Sequence, residues 1–417
     1  MIKYDTIIIG GGLSGLTCGI RLAEKGLKCA IISAGQNALS NGSGAFNLLN
    51  NLPDGTSVVN PIEAIDSLSE DHPYSKIGAQ NCLAYANEAK EILKRAGIEM
   101  IGKPTENHKR LTPMGSLKNC WLSIDEHHIA FCNDTLPWKK VAIMSFVGFM
   151  DFNPTFLANG LEKTGIKCLI CKISLPAIHT LRKNASEMRA SNIARIFNDK
   201  SNIEETARAI NAQDCEAVLL PSVFGLKDNQ TFNQLKALVN KPVCLVPTLP
   251  PSVPGIRITE QLSARFRALG GTIFQGDSVV NATFEQDTIS RIFTANHTET
   301  PFVAKNFVLC AGDFYSQGLT ALSDKVYEPV FQADVNFTGD CTTWCEQDFF
   351  AKQPYQYFGV ITDKNFHVQK EGKTISNLYA GGAILSSFNA LKEGSGAGVA
   401  MLSAIAISNA ILNTNQQ

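Results

Sequence analysis

The 417 residues exceed one ordinary domain, so two structural units with a sizeable core are expected. With 37 basic and 38 acidic residues the formal charge is −1, which leaves no basic surplus to point to nucleic acid. Hydrophobic content of 44% is ordinary, charged content of 18% is somewhat low and leaves apolar surface for a partner to cover, and no stretch suggests the roughly 20 apolar residues of a membrane span.

Residues 5–35, DTIIIGGGLSGLTCGIRLAEKGLKCAIISAG, read as strand, glycine-rich turn, helix and second strand. Asp5 to Ile9 is an apolar run suited to a strand buried on both faces. Gly10, Gly12 and Gly15 give the G-x-G-x-x-G spacing. The first allows the tight turn, the second lets backbone approach a phosphate, and the third lets the helix pack on the strand. The helix predicted over Leu13 to Lys25 begins with Leu13 and Ser14 and aims its free N–H groups and positive dipole end at an anion. Gly26 closes it, and Lys28 to Ile32 is the next strand. This order predicts a nucleotide cofactor. The apolar run is too short for a signal peptide and flows straight into the turn, which points to the cytoplasm.

One element of the fingerprint is missing. An acid about 20 residues past the glycines would bind an adenosine ribose. The chain offers Ser33, then Ala34 and Gly35, with no arginine for a 2′-phosphate. Either Ser33 makes a weaker contact, or the adenosine half is absent, which would suit FMN.

The segment Gln36 to Asn60 is rich in Asn, Gly and Ser. Within it Ser40, Gly42, Ser43 and Gly44 permit close backbone approach to a flavin ring. Residues 78–96 have helical spacing, and 104–138 are irregular, with short strand candidates near Leu111 and Trp121. Strands are predicted at 139–146, 166–173, 216–220 and 243–247, and helices at 153–164 and 229–239, so 139–250 reads as an inserted α/β unit. The Pro-rich stretch 248–257 is expected to be a stiff non-helical connection. A helix from Ile258 to about Leu269 and a strand-turn-strand pattern after it return the chain to the nucleotide unit.

Two later segments support the return. KNFVLCAG ends at a small-residue turn, Ala311–Gly312, and NLYAGGA ends at Gly382–Ala383. A long apolar helix, about Gly396 to Leu412, follows Gly394 and Gly396, which would let its start approach the ring where negative charge gathers on reduction. Many flavoproteins carry Asp where this chain has Ala383, a second missing acid. The expected architecture is α/β: a Rossmann-like FAD/NAD(P)-binding flavoprotein fold with an inserted α/β domain. Residues 1–60 and 258–417 would form the flavin-binding unit, and 61–257 the cap.

Among the 12 cysteines, Cys168 and Cys171 form one C-x-x-C, and Cys341 and Cys345 lie four apart. Neither pair has a second pair at zinc or iron–sulfur spacing, so no metal site is expected. Free thiols are predicted, with Cys18, Cys29 and Cys310 in core elements; a redox disulfide at Cys168–Cys171 is the alternative.

The opening segment, the SNGSG loop, DHPYSKIG at 71–78, LTPMGSLKNCWLS at 111–123, NASEMRASNIAR at 184–195, PTLPPSVPGIRI at 247–258 and the late YAGGAILSSF together resemble the B-type subunit of the anaerobic glycerol-3-phosphate dehydrogenase complex. The resemblance covers essentially the whole chain. It implies a quinone-linked complex oxidising sn-glycerol 3-phosphate to dihydroxyacetone phosphate, with electrons passing to fumarate or nitrate. It also implies FMN on this polypeptide (FAD being the alternative), an FAD-containing A-type subunit, and an iron–sulfur C-type subunit that ties the pair to the cytoplasmic face of the inner membrane.

Oxidising a secondary alcohol needs a base near the hydroxyl and cations for the phosphate. His72 is the base candidate, Arg110, Arg189 and Arg257 (with Arg195) are candidates for the phosphate, and His127–His128 read as an exposed loop. Three functions stay open at this level: a flavin subunit that oxidises substrate or relays electrons, a self-contained flavin oxidoreductase on another small alcohol or amine, and a structural partner without cofactor.

Overall fold

The computed structural model describes residues 1–130 and 136–414. Ile7, Ile8 and Ile9 are all buried because the opening strand, Ile2–Ile9, runs through the middle of a sheet covered on both faces. Its parallel neighbours are Cys29–Ser33 on one side and Phe302–Leu309 on the other, and Thr272–Gln275 continues beyond Cys29–Ser33. Lys373–Ala380 pairs in parallel with the end of Phe302–Leu309, while the antiparallel Thr288–Thr294 and Val279–Glu285 extend its start. The register Ile9↔Ile32, Ile9↔Leu309 and Leu309↔Ala380 brings the carboxyl ends of four parallel strands to one edge, the edge at which α/β sheets bind ligands.

The helix Leu13–Glu24 is buried from Ser14 to Ala23, between this sheet and the helices Ala79–Arg95, Val253–Ala268 and Gly396–Thr414. Gly19 makes the close approach possible, since a Cβ there would stand 2.9 Å from the Phe266 ring. Glu24 joins three of these helices, accepting from Arg95 at 2.9 Å and from Arg265 at 2.9 Å. The last helix is apolar on all sides because it is surrounded.

The second unit is a four-stranded parallel sheet in the order Lys167–Ile173, Lys140–Phe146, Ala217–Pro221, Val243–Val246. The helices Pro154–Glu162 and Lys200–Asn211 start on the caps Asn153 and Asp199, whose side-chain oxygens accept from the first turn. Phe146, Phe197, Phe224 and Phe232 stack through its core.

Three expectations need correction, and one is met. Residues 61–101 do not belong to the cap: Ile65, Tyr74, Cys82, Ile92 and Met100 lie in the first core, and the second core begins at Leu111. The Pro-rich segment turns helical at Val253, because Pro254 sits in the first turn where no N–H is needed. The stretch 104–130 holds strands at both expected places, His108–Leu111 and, on either side of Trp121, Leu117–Cys120 and Leu122–Ile124, and adds Ile129–Ala130. Finally, Gly396–Thr414 is long and apolar enough to cross a membrane by length and composition, but it is mostly buried, packed against the helices Leu13–Glu24 and Ala79–Arg95, as a core helix is.

Every cysteine among the described residues is free. Cys168 and Cys171 sit on one strand three residues apart, which sends them to opposite faces.

Candidate functional site

Three glycine turns meet at the carboxyl edge. At the first, Gly10 has φ +112° and stands so close to Cys310 that a side chain would run into its carbonyl. Gly15 would likewise collide with the carbonyl of Gly10. Gly12 differs: nothing lies within 4 Å of where its Cβ would stand. The helix behind it has no side-chain cap and no acid in its first turn. The amides of Gly12, Leu13, Ser14 and Gly15 donate to no acceptor among the described residues. That leaves an open, positively polarised cradle, which fits a phosphate.

The second turn, Ala311–Gly312, follows Phe302–Leu309, with Gly312 at φ +83°. The third, Gly381–Ala383, is held by Gly381 N–H donating to Leu309 O at 3.0 Å and Gly382 N–H donating to Ser403 Oγ at 3.0 Å. Ser14 lies against it, 2.9 Å from a Gly382 Cβ, and contacts Cys310 Sγ at 3.4 Å. The opening helix, the third turn and the last helix are therefore one packed unit.

The last helix begins beside the 40–51 segment. Gly398 N–H donates to Asn47 O at 2.9 Å, whereas the Gly396 and Ala397 amides have no acceptor among the described residues. Gly398 can carry no side chain, because Tyr74 Oη and Leu48 fill its place. Gly394, at φ +59°, packs on Asn50.

Ser33 is buried, and its hydroxyl donates back to Gly35 O at 3.2 Å. Asn37, which sequence reasoning missed, holds the first turn by donating to Gly11 O at 2.7 Å. A cleft of about 430 Å³ opens here, lined by Gly11, Gly35, Asn37, Ser40, Thr259 and Gln275 among others.

The SNGSG loop divides. Ser40 O accepts from Ser252 N–H at 3.1 Å and Gly42 O accepts from the Ser252 hydroxyl, so both tie the loop to the start of Val253–Ala268. Ser43 Oγ instead accepts from Arg110 Nη2 at 2.8 Å, and Gly44, at φ +83°, packs between Ile124 and Pro254.

His72 is not placed as a base. It is 1% exposed, its Nδ1 accepts from Tyr74 N–H at 3.0 Å as the cap of Pro73–Ile77, and its Nε2 lies 3.2 Å from Glu393 Oε2. With Nδ1 accepting, the proton sits on Nε2 and is donated to the carboxylate. Both nitrogens are used in anchoring the loop before the last helix. Among the three arginines, Arg110 reaches the SNGSG loop. Arg257 is buried, with Nη2 on Glu126 at 2.7 Å and Nη1 on the carbonyls of Phe224, Gly225 and Asp228. Arg189 is mostly exposed in the second unit, paired with Asp151 at 3.0 Å. Arg195 is a surface residue bonded to Asn192.

His127, expected in an exposed loop, is buried instead. Burial and the Arg110 and Arg257 charges hold it well below the usual histidine range. His108, also buried, is pushed down to about 4, and its Nε2 meets Ser123 Oγ at 2.8 Å. A polar run such as DEHH carries no sequence signal for burial of this kind.

A paired sheet edge, converging glycine turns and unfilled amides define a flavoprotein of the FAD-binding class. The FAD binding domain family matches residues 5–399. The B-type subunit of anaerobic glycerol-3-phosphate dehydrogenase from Yersinia pseudotuberculosis is 42% identical over 418 residues, covering 99% of each chain. The protein of that name from Pectobacterium atrosepticum is 42% identical, again over 99% of each chain. The chain belongs to this family, the B-type subunits of anaerobic glycerol-3-phosphate dehydrogenase. Among solved structures, the 3-ketosteroid delta1-dehydrogenase of Sterolibacterium denitrificans aligns with a TM-score of 0.46 and 10% identity, covering 99% of this chain and 100% of that one.

Proposed function

We propose that this chain is the flavin subunit of a quinone-linked glycerol-3-phosphate dehydrogenase, oxidising sn-glycerol 3-phosphate to dihydroxyacetone phosphate. The observation that carries the reading is the open amide cradle at Gly12 to Gly15, set against the third turn and the start of the last helix. Gly12, Leu13, Ser14 and Gly15 would hold a cofactor phosphate, and Gly382, Ala383, Gly394 and Gly396 would flank the flavin. The flavin supplies a two-electron acceptor when bound. The protein's part is to hold it, to keep water out and to present cations to the substrate.

FAD is the reading the family match and the cleft beyond Gly11 support, because that cleft gives the adenosine half a place. FMN has one observation in its favour: no acid follows the second strand, and the Ser33 hydroxyl is turned onto Gly35. Mass spectrometry of the cofactor released from purified protein decides, with an FMN mass overturning the FAD reading.

The partners proposed are an FAD-containing A-type subunit and an iron–sulfur C-type subunit that holds the assembly peripherally on the cytoplasmic face of the inner membrane. Substrate oxidation is tested by adding sn-glycerol 3-phosphate and an electron-accepting dye to the purified chain. Bleaching of the flavin without partners supports it. A second reading, electron relay, is favoured by the engagement of both His72 nitrogens, which removes that base. It predicts no bleaching until the FAD-containing partner is added.

A further inference from the structure

Beside the Ser43 loop, two buried groups have polar atoms with no partner among the described residues. Arg110 spends Nη2 on Ser43, while its buried Nη1 has none. His127 is 5% exposed, and neither Nδ1 nor Nε2 has a partner there. Buried polar atoms are nearly always paired, so two such groups in one neighbourhood call for an explanation. They are near neighbours: Arg110 pairs with Ile129 across adjacent strands, two residues from His127, and the Arg110 and Arg257 charges both act on the His127 ring.

The surrounding charge is lopsided. Glu126 answers Arg257 at 2.7 Å, and farther out Asp125 faces Lys236 at 3.9 Å. The Cys120 thiol contacts the Arg110 guanidinium and meets Ser123 Oγ at 3.2 Å, and His108 bonds Ser123. Among the described residues no carboxylate pairs with Arg110, so the cluster keeps one uncompensated positive charge beside a neutral imidazole. A small oxyanion meets all three demands: it accepts from Nη1, accepts from an imidazole N–H, and neutralises the guanidinium.

We infer that Arg110 and His127 form the binding site for the phosphate group of a phosphomonoester, and that its arrival makes His127 take up a proton. The inference rests on the reading of the chain as a glycerol-phosphate-oxidising flavoprotein, and it assigns to this polypeptide the residues that recognise the anion. The proton balance is simple. Without anion, burial and two guanidiniums keep the imidazole neutral at neutral pH. A dianion beside it favours the charged form, and the proton comes from solvent.

The test is isothermal titration of the purified flavin-loaded chain with inorganic phosphate and, separately, sn-glycerol 3-phosphate at pH 7. Each titration is run in two buffers of different ionisation enthalpy. The wild-type chain is expected to bind sn-glycerol 3-phosphate with uptake approaching about one proton per anion. Arg110→Met should weaken binding by about tenfold or more. His127→Gln keeps a donor and should retain most of the affinity while losing the proton uptake. Thermal unfolding of each variant reports folding independently. Binding of neither anion overturns the inference, as does binding of free phosphate alone, or proton uptake that persists in His127→Gln. Binding with proton uptake but no flavin bleaching supports the site and counts against oxidation on this chain, so the two readings fail separately.

Discussion

His72 shows how one residue's chemistry is decided by its neighbours. A histidine before a proline that starts a helix is placed to cap it, and DHPY carries that signal in the sequence. What the sequence hides is Glu393, 321 residues away, which accepts from His72, from the Asn389 amide at 2.9 Å and from Ser395 Oγ at 3.0 Å. Replacing His72 with Ala removes a cap and strips a donor from a buried carboxylate, so it should cost about 2–4 kcal/mol. Thermal unfolding should show that loss, together with lower flavin content, because the loop before the last helix loosens. A catalytic role would show instead as a changed pH–rate profile at full stability. His108 gives a second prediction. Its folded value of about 4 lies below the ordinary 6.5, so the unfolded chain binds the extra proton first. The stability it supports is complete above 6.5 and is lost as pH falls toward 4. Urea midpoints measured through that window should drop less steeply in His108→Gln than in the wild-type chain.

At the scale of elements, the glycine turns were legible because their residue spacing is local and each glycine answers a backbone demand. The structure separates glycines that serve the fold from one left open to a ligand. Gly10 is hemmed in by Cys310 at a positive φ, whereas Gly12 faces open space. Gly10→Ala should therefore destabilise the cofactor-free protein, while Gly12→Val should leave its melting temperature unchanged. Gly12→Val should nevertheless bind flavin about tenfold more weakly, since the added methyls fill the cradle. Equilibrium dialysis against flavin, beside melts of stripped protein, checks both. A stability loss in Gly12→Val would mean that Gly12, like Gly10, serves the fold. Between 104 and 130 the strands near Leu111 and Trp121 were legible as places but not as bounds or pairings, because two- to four-residue strands carry no periodicity and form only when distant partners such as Ala45–Phe46 pair with them. The helix start at Val253 was hidden by Pro254, which looks like a breaker but sits in the first turn.

At the scale of the molecule, Arg257 is a buried cross-link between the two cores that the sequence could not reveal. Val253 belongs to the second core, and Ile258, Leu262 and Phe266 on the same helix belong to the first. Arg257 lies between them and holds the Phe224–Asp228 turn of the second unit by three carbonyls. Its other nitrogen holds Glu126, just past the strand Leu122–Ile124 that packs in the first core. Burial outweighs Arg257 and holds the Glu126 carboxyl above the ordinary glutamate range, so the pair stabilises only while both partners are present. Arg257→Met should cost about 3–5 kcal/mol by stranding Glu126 among apolar neighbours. Adding Glu126→Leu to Arg257→Met should recover part of that loss, because the stranded charge is gone even though the carbonyls stay unpaired. A double-mutant cycle on urea unfolding measures the recovery. If the double variant is as unstable as the sum of the single ones, the carbonyl clamp rather than the ion pair holds the two cores together.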